Sequence, residues 1–180
     1  FLKGLKRYAS LGWTQIHVPG GDYRDIELLK EIKQEGNLIQ RIYFMVSDGK
    51  PAIRLLEEGP TIDADHFLTI RSIKMYADGA LGSRGAALID KYKDYEGKGV
   101  LIFLEEETIP KLEKALEVGI QIGTHAIGDL GNQVTLDWYQ RAFETIREDQ
   151  RAISSPRWRI EHSQIITPED QNRFFKLGVI

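Results

Sequence analysis

Three of the four histidines in this chain, His17, His125 and His162, close short runs of apolar and β-branched residues. Neutral imidazole is a common metal ligand, and two imidazoles on neighbouring strands could share an ion. The same positions would also suit hydrogen-bonded residues at the rim of a core. Lys74 sits inside the apolar run IKMY, where burying an ammonium is costly without a partner. A desolvated lysine gives up its proton more readily, and the neutral amine is a nucleophile. It could form a Schiff base, act as a base, or take up CO₂ as a carbamate, an anionic oxygen ligand able to bridge two cations. It could equally lay its stem along a sheet with the charge in water.

The stretch Tyr76–Leu88, YADGALGSRGAAL, follows directly and repeats glycine every third residue at Gly79, Gly82 and Gly85. It matches neither GxxxxGK[ST] nor GxGxxG, which argues against a nucleotide loop. Glycines let a loop pass close to a ligand. Asp78 could orient that loop or a substrate, and Arg84 could hold a carboxylate or carbonyl. A Gly-rich connector carrying a surface arginine fits the same residues.

The whole sequence narrows the setting. Its 180 residues suffice for one domain with a core, burying roughly 70% of the unfolded surface. A net charge of −3 and the lack of any Lys/Arg run argue against a general nucleic-acid binder. No apolar stretch approaches the ~20 residues of a membrane-spanning helix. With no cysteine, disulfides, thiolate zinc sites, iron–sulfur clusters and thiol nucleophiles are ruled out. The absence of cysteine fits a cytoplasmic location, which is expected here, and the opening FLKGLKRYAS has no signal-peptide core. It has no initiator Met, and the chain stops on the apolar LGVI, so residues 1–180 are expected to be a piece of a longer protein.

Positioning falls to alternating elements. Strand-like runs are Trp13–Val18, Gln40–Val46, Ile70–Tyr76, Ile120–His125 and Arg157–His162, with a sixth opening at Gly178. Between them lie amphipathic helices. One carries Ile26, Leu29 and Ile32 on one face and stops at Gly36; another carries Leu112, Ala115 and Leu116, begins near Thr108 and Pro110, and stops at Gly119. A long helix is expected over 131–147, and Thr167-Pro168-Glu169 opens a last one. Strand–helix alternation implies a parallel sheet with crossover helices, as an open sheet or a barrel. The spacing of the runs suits a barrel of about 31 residues per unit, with one long excursion after the third run. In either architecture the C-terminal strand ends carry the site.

Three blocks carry a family likeness: IKMYADGALGSRGAAL, QIGTHAIGD and RIEHSQIITPEDQNRFFKLGVI. In this order they resemble the amidohydrolase superfamily, in its branch of N-substituted formamide deformylase and YtcJ-like metal-dependent hydrolases; LGWTQIHVPGG and NLIQRIYFMV are similar to the two preceding strands. The resemblance implies a partial (β/α)8 TIM barrel, strands two to the start of seven, as one fragment over 1–180. It implies a divalent metal, zinc by preference, as one or two ions, and hydrolysis of non-peptide amide-type C–N bonds in small molecules. By it Lys74 matches the fourth-strand lysine that is often carboxylated, His125 the fifth-strand histidine and His162 the sixth-strand histidine. His17 matches a second-strand histidine, although Val18 stands where an Asp commonly follows. Asp78, Arg84 and His17 are then expected at the substrate.

The family's first-strand HxH pair and eighth-strand Asp, a ligand and general base, have no counterpart here. The fragment alone is therefore expected to bind metal weakly and turn nothing over. Its open sheet edges are expected to promote homodimers or segment exchange. Two other readings stand beside the hydrolase: a non-catalytic structural or interaction module, and a barrel lyase that uses Lys74 as a Schiff base.

Overall fold

The computed structural model describes residues 1–180. Its elements are α1 (Leu2–Ser10), β1 (Gln15–Pro19), α2 (Tyr23–Gln34), β2 (Arg41–Ser47), α3 (Lys50–Glu58), β3 (Thr61–Ile62), β4 (Leu68–Tyr76), α4 (Glu105–Val118), β5 (Gln121–Ala126), α5 (Asp129–Thr145), a 3-10 turn at Glu148–Gln150, β6 (Arg159–His162) and α6 (Pro168–Leu177). The hydrogen-bonded strand order is β1-β2-β4-β5-β6, with β3 on β4. The β1–β2, β2–β4 and β5–β6 ladders are parallel, and the short β3 pairs antiparallel with β4. Strands that follow one another in the sheet as in the sequence, joined through helices, have the topology of a partial (β/α)8 barrel, as expected. No helix is long and apolar enough to cross a membrane. By contacts the chain divides into two units, Phe1–Lys74 and Met75–Ile180.

In the first unit, α2 starts at a reciprocal cap. Asp22 accepts from the Arg24 amide at 2.8 Å, and the Asp22 amide donates to Asp25 Oδ2 at 3.0 Å. It ends where Gly36, at φ 73°, allows the Asn37 amide to reach the Ile32 carbonyl at 2.9 Å. The buried face Ile26, Leu29 and Ile32 is the one the periodicity implies. Ile42, Phe44 and Val46 of β2, Ala52 and Leu55 of α3, and Leu68, Ile70 and Ile73 of β4 complete this core. Helices α1 and α3 and strand β3 are not anticipated by the sequence reading.

In the second unit, Leu112, Ala115 and Leu116 of α4, Ile120, Ile122, Leu136, Tyr139 and Trp158 are buried. Trp158 donates its indole N–H to the Ile120 carbonyl at 3.1 Å and meets the Tyr139 ring edge to face at 4.8 Å. Helix α4 begins a turn earlier than Thr108-Pro110 suggests. Glu105, Glu106 and Glu107 occupy its first turn, where acidic side chains complement the helix dipole, and Pro110 lies inside. Thr167 caps α6 as expected, accepting from the Asp170 amide at 3.2 Å. Gly178 closes that helix at φ 63° rather than opening a strand, yet Ile180 exchanges 2.9 Å backbone bonds with Trp158 and Ile160.

Candidate functional site

Within the first unit the polar face of the sheet depends on one extra residue. On β2, Ile42, Tyr43 and Phe44 pair with Leu68, Thr69 and Ile70, but Met45 pairs with Ser72, Val46 with Ile73 and Ser47 with Lys74. Arg71 is the unmatched residue of this bulge. A bulge shifts every later side chain to the other face. Without it, Lys74 would turn towards the helices; with it, Lys74 lies opposite Ser47. That face also carries Tyr43 and, through the β1–β2 register, His17. His17 stacks on Tyr43 at 5.0 Å between ring centroids and lies 2.9 Å from the Gln15 amide nitrogen. Lys74 is only 4% exposed. Gly20, at φ 116°, leaves room above its stem: a Cβ there would stand 3.4 Å from Ser47 Oγ and 3.8 Å from Lys74 Cγ.

The second unit brings His125 and His162 together. They stand at the C-terminal ends of the adjacent parallel strands β5 and β6, with ring centroids 4.6 Å apart and planes at 73°. Register alone does not produce this. His125 pairs with Glu161, and His162 pairs with Ala126, one residue on and so on the opposite face. His162 adopts φ 79° and Ser163 φ 42°. Turning φ positive swings Cβ about the N–Cα bond, which carries the His162 ring back to His125. Two successive left-handed residues without glycine cost energy, and such strain clusters at functional sites.

His125 is held on several sides. Its carbonyl accepts from the Ala77 amide at 2.8 Å, its Nε2 lies 3.2 Å from the Gly79 carbonyl and 3.5 Å from Asp78 Oδ1, and its ring is 5.4 Å from that of Tyr76. Asp78 has no exposed side-chain surface. It accepts backbone N–H bonds from Ile127 at 2.9 Å, Gly128 at 2.8 Å and Ala87 at 2.9 Å. Arg84 instead faces solvent, paired to Asp94 at 2.8 Å. The bond from Arg84 holds the Asp94 carboxyl below its usual range, and the bond to Asp94 raises the guanidinium further. Arg159 and Glu161 form a half-buried pair at 2.5 Å on the same side of β6 that faces His125 in register.

Of the residues singled out in the sequence, His125, His162 and Asp78 thus form one cluster in the second unit, and Lys74 and His17 share one sheet face in the first. Arg84 is engaged with Asp94 in the loop. The reading missed Tyr76 at the His125 ring, although it follows Lys74 by two residues and strand periodicity would have pointed to it. It also missed the bulge at Arg71, for which no local signal exists. No three His, Asp or Glu side chains form a ready cluster for a cation. Two imidazoles nonetheless suit a divalent metal by donor chemistry.

Comparison with known proteins places this geometry in context. The model of the Amidohydrolase family matches residues 1–180. The chain is 27% identical over 161 residues to Protein LONG AFTER FAR-RED 3 of Arabidopsis thaliana, covering 88% of this chain and 26% of that protein. It is 36% identical over 72 residues to YtcJ of Bacillus subtilis (strain 168), covering 39% of this chain and 14% of that one. Two solved structures, of uncharacterized metal-dependent hydrolases from Pyrococcus furiosus and Pyrococcus horikoshii OT3, superpose with TM-scores of 0.79 and 0.80 at 25% and 27% identity. Each is matched over 99% of this chain, which spans 36% and 34% of their respective lengths.

Proposed function

Since the chain belongs to the Amidohydrolase family, we propose that it supplies metal ligands to a hydrolase of amide-type, non-peptide C–N bonds in small molecules. The observation that carries this reading is the meeting of His125 and His162 at adjacent strand ends. The proposed ligands are these two imidazoles and Lys74 as its carbamate, with zinc as the metal. A bound zinc ion supplies Lewis acidity, polarising a carbonyl and lowering the pKa of water towards neutrality.

The chain's own residues supply the rest. The Gly79 carbonyl can only accept, so it takes the proton from Nε2 of a neutral His125, whose lone pair then lies on Nδ1. Carbamate formation draws on the neutral amine of Lys74, which is the nucleophile towards CO₂. That reaction joins the amine nitrogen to the carbon of CO₂ and releases one proton, leaving a carbamate anion. His17 and Arg84 are the proposed substrate contacts, Arg84 on release from Asp94. The general base is assigned to an Asp outside residues 1–180, so this segment alone is proposed to lack turnover.

We place the activity in the cytoplasm, a compartment that suits a chain without cysteine. The free side of β1, the end strand of the sheet order, is the proposed place for homodimer formation or segment exchange. The test of function is hydrolysis of simple N-acyl amines by the full-length protein, stripped with chelator and then reloaded with Zn²⁺. Metal-dependent turnover that His162→Ala abolishes is the expected result. Metal-independent turnover, or borohydride trapping of a carbonyl substrate on Lys74, would refute the metal reading.

A further inference from the structure

We propose that Asp78 is a positioning residue, one that ties the glycine loop to the β5–α5 turn and so fixes the orientation and tautomer of the His125 ring. The inference rests on the reading of His125 as a metal ligand only for its functional meaning. Three consecutive residues do the holding. Ala77 donates to the His125 carbonyl, Gly79 offers its carbonyl to His125 Nε2, and Asp78 between them binds the amides of Ile127 and Gly128. The third bond to the Asp78 carboxylate comes from Ala87, at the far end of the loop. One buried side chain thereby closes the loop on itself and on the turn that follows His125.

The surrounding backbone leaves little freedom for an alternative. A Cβ on Gly128 would collide with the Ala87 carbonyl, and one on Gly131 would come within 2.5 Å of Asp78 Oδ2. The Gly79 amide bonds the Gly85 carbonyl at 3.0 Å, and the Gly131 amide bonds the Ala87 carbonyl at 3.2 Å. From the other side, Asn132 donates to the carbonyls of Gly128 at 2.9 Å and Ile165 at 3.0 Å. With its oxygens occupied by three amides and no exposed surface, Asp78 is closed to a ligand. It acts by keeping the Gly79 carbonyl in place, as hydrogen-bonded partners of ligating histidines do. This role stands in place of the substrate contact expected for Asp78 from the sequence.

The test is long-range ¹H–¹⁵N NMR of the imidazoles in the 180-residue chain at a pH where they are neutral. Wild-type His125 should show the Nε2–H pattern. Asp78→Asn and Asp78→Ala should convert it to a tautomer mixture, with His17 and His66 unchanged. Gly131→Ala keeps every hydrogen-bonding group but displaces Oδ2, and should move the same signal should the Asp78 variants fail to fold. A wild-type Nδ1–H pattern, or an unchanged His125 pattern in any folded variant, overturns the proposal. Zinc titration of the same samples separates this claim from the metal reading. Affinity should fall about 10- to 100-fold in the Asp78 variants; wild-type affinity in them refutes positioning. Indifference of the wild-type histidines to zinc refutes the metal reading and leaves the tautomer result to decide positioning.

Discussion

The His162 ring reaches His125, 4.6 Å between centroids, because the His162 backbone leaves strand geometry at φ 79°. Alternation alone would have sent the two side chains to opposite faces of the sheet. A left-handed residue other than glycine costs roughly 1–2 kcal/mol. His162→Gly should therefore be more stable than His162→Ala by about 1 kcal/mol, while both lose the same zinc affinity. Urea denaturation of the two variants with unchanged m-values checks this. Equal midpoints would mean that the strain is absent.

The bulge at Arg71 makes Lys74 the partner of Ser47 on a polar face. Lys74→Met keeps an unbranched stem, and the fold should survive at a cost below about 1.5 kcal/mol. Zinc affinity of the wild-type chain should rise with added bicarbonate, and that dependence should vanish in Lys74→Met. Competition titrations against a chelator, with and without bicarbonate, measure both. A bicarbonate-independent wild type would remove the carbamate from the account.

Glycine is required in the loop system at specific places only. A Cβ on Gly128 runs into the Ala87 carbonyl, whereas one on Gly82 meets nothing within 4 Å. Gly128→Ala should cost more than about 4 kcal/mol or prevent folding, and Gly82→Ala should stay within about 0.5 kcal/mol of wild type. Denaturant midpoints distinguish the two. Equal effects would contradict the packing described.

Burial pushes the Tyr139 phenol well above its ordinary pKa, even though its hydroxyl has Thr124 Oγ1 at 2.7 Å and donates to the Arg159 carbonyl at 3.0 Å. Above about pH 10 the unfolded chain loses this proton and the folded chain retains it. Its stabilising contribution is thus complete below that pH and lost as the pH rises, at about 1.4 kcal/mol per unit. Tyr139→Phe should be less stable at neutral pH by about 1–3 kcal/mol and should show a shallower alkaline decline. Identical alkaline limbs would place the phenol in contact with water.

Much of this arrangement was legible in the sequence because it rests on local rules. The buried face of α2 followed from Ile26, Leu29 and Ile32, and the cap of α6 from Thr167-Pro168. His125 and His162 were legible as strand-end imidazoles, and the family blocks supplied their pairing. What stayed hidden was non-local. The extra residue at Arg71 shows only when β2 and β4 are aligned. The amides that occupy Asp78 come from Ala87, Ile127 and Gly128, the latter two far away in sequence. The pairing of Arg84 with Asp94, ten residues on, was hidden too, because Asp94 reads as an ordinary loop residue until the loop folds back.

The proposed metal site requires His125 and His162 to hold one cation between them. Zinc titration followed by the ¹⁵N signals of all four imidazoles tests it in a single experiment. His125 and His162 should respond together at one stoichiometry, and either alanine substitution should weaken binding at least about tenfold. Independent responses of the two rings, or wild-type affinity in the double variant, would contradict it.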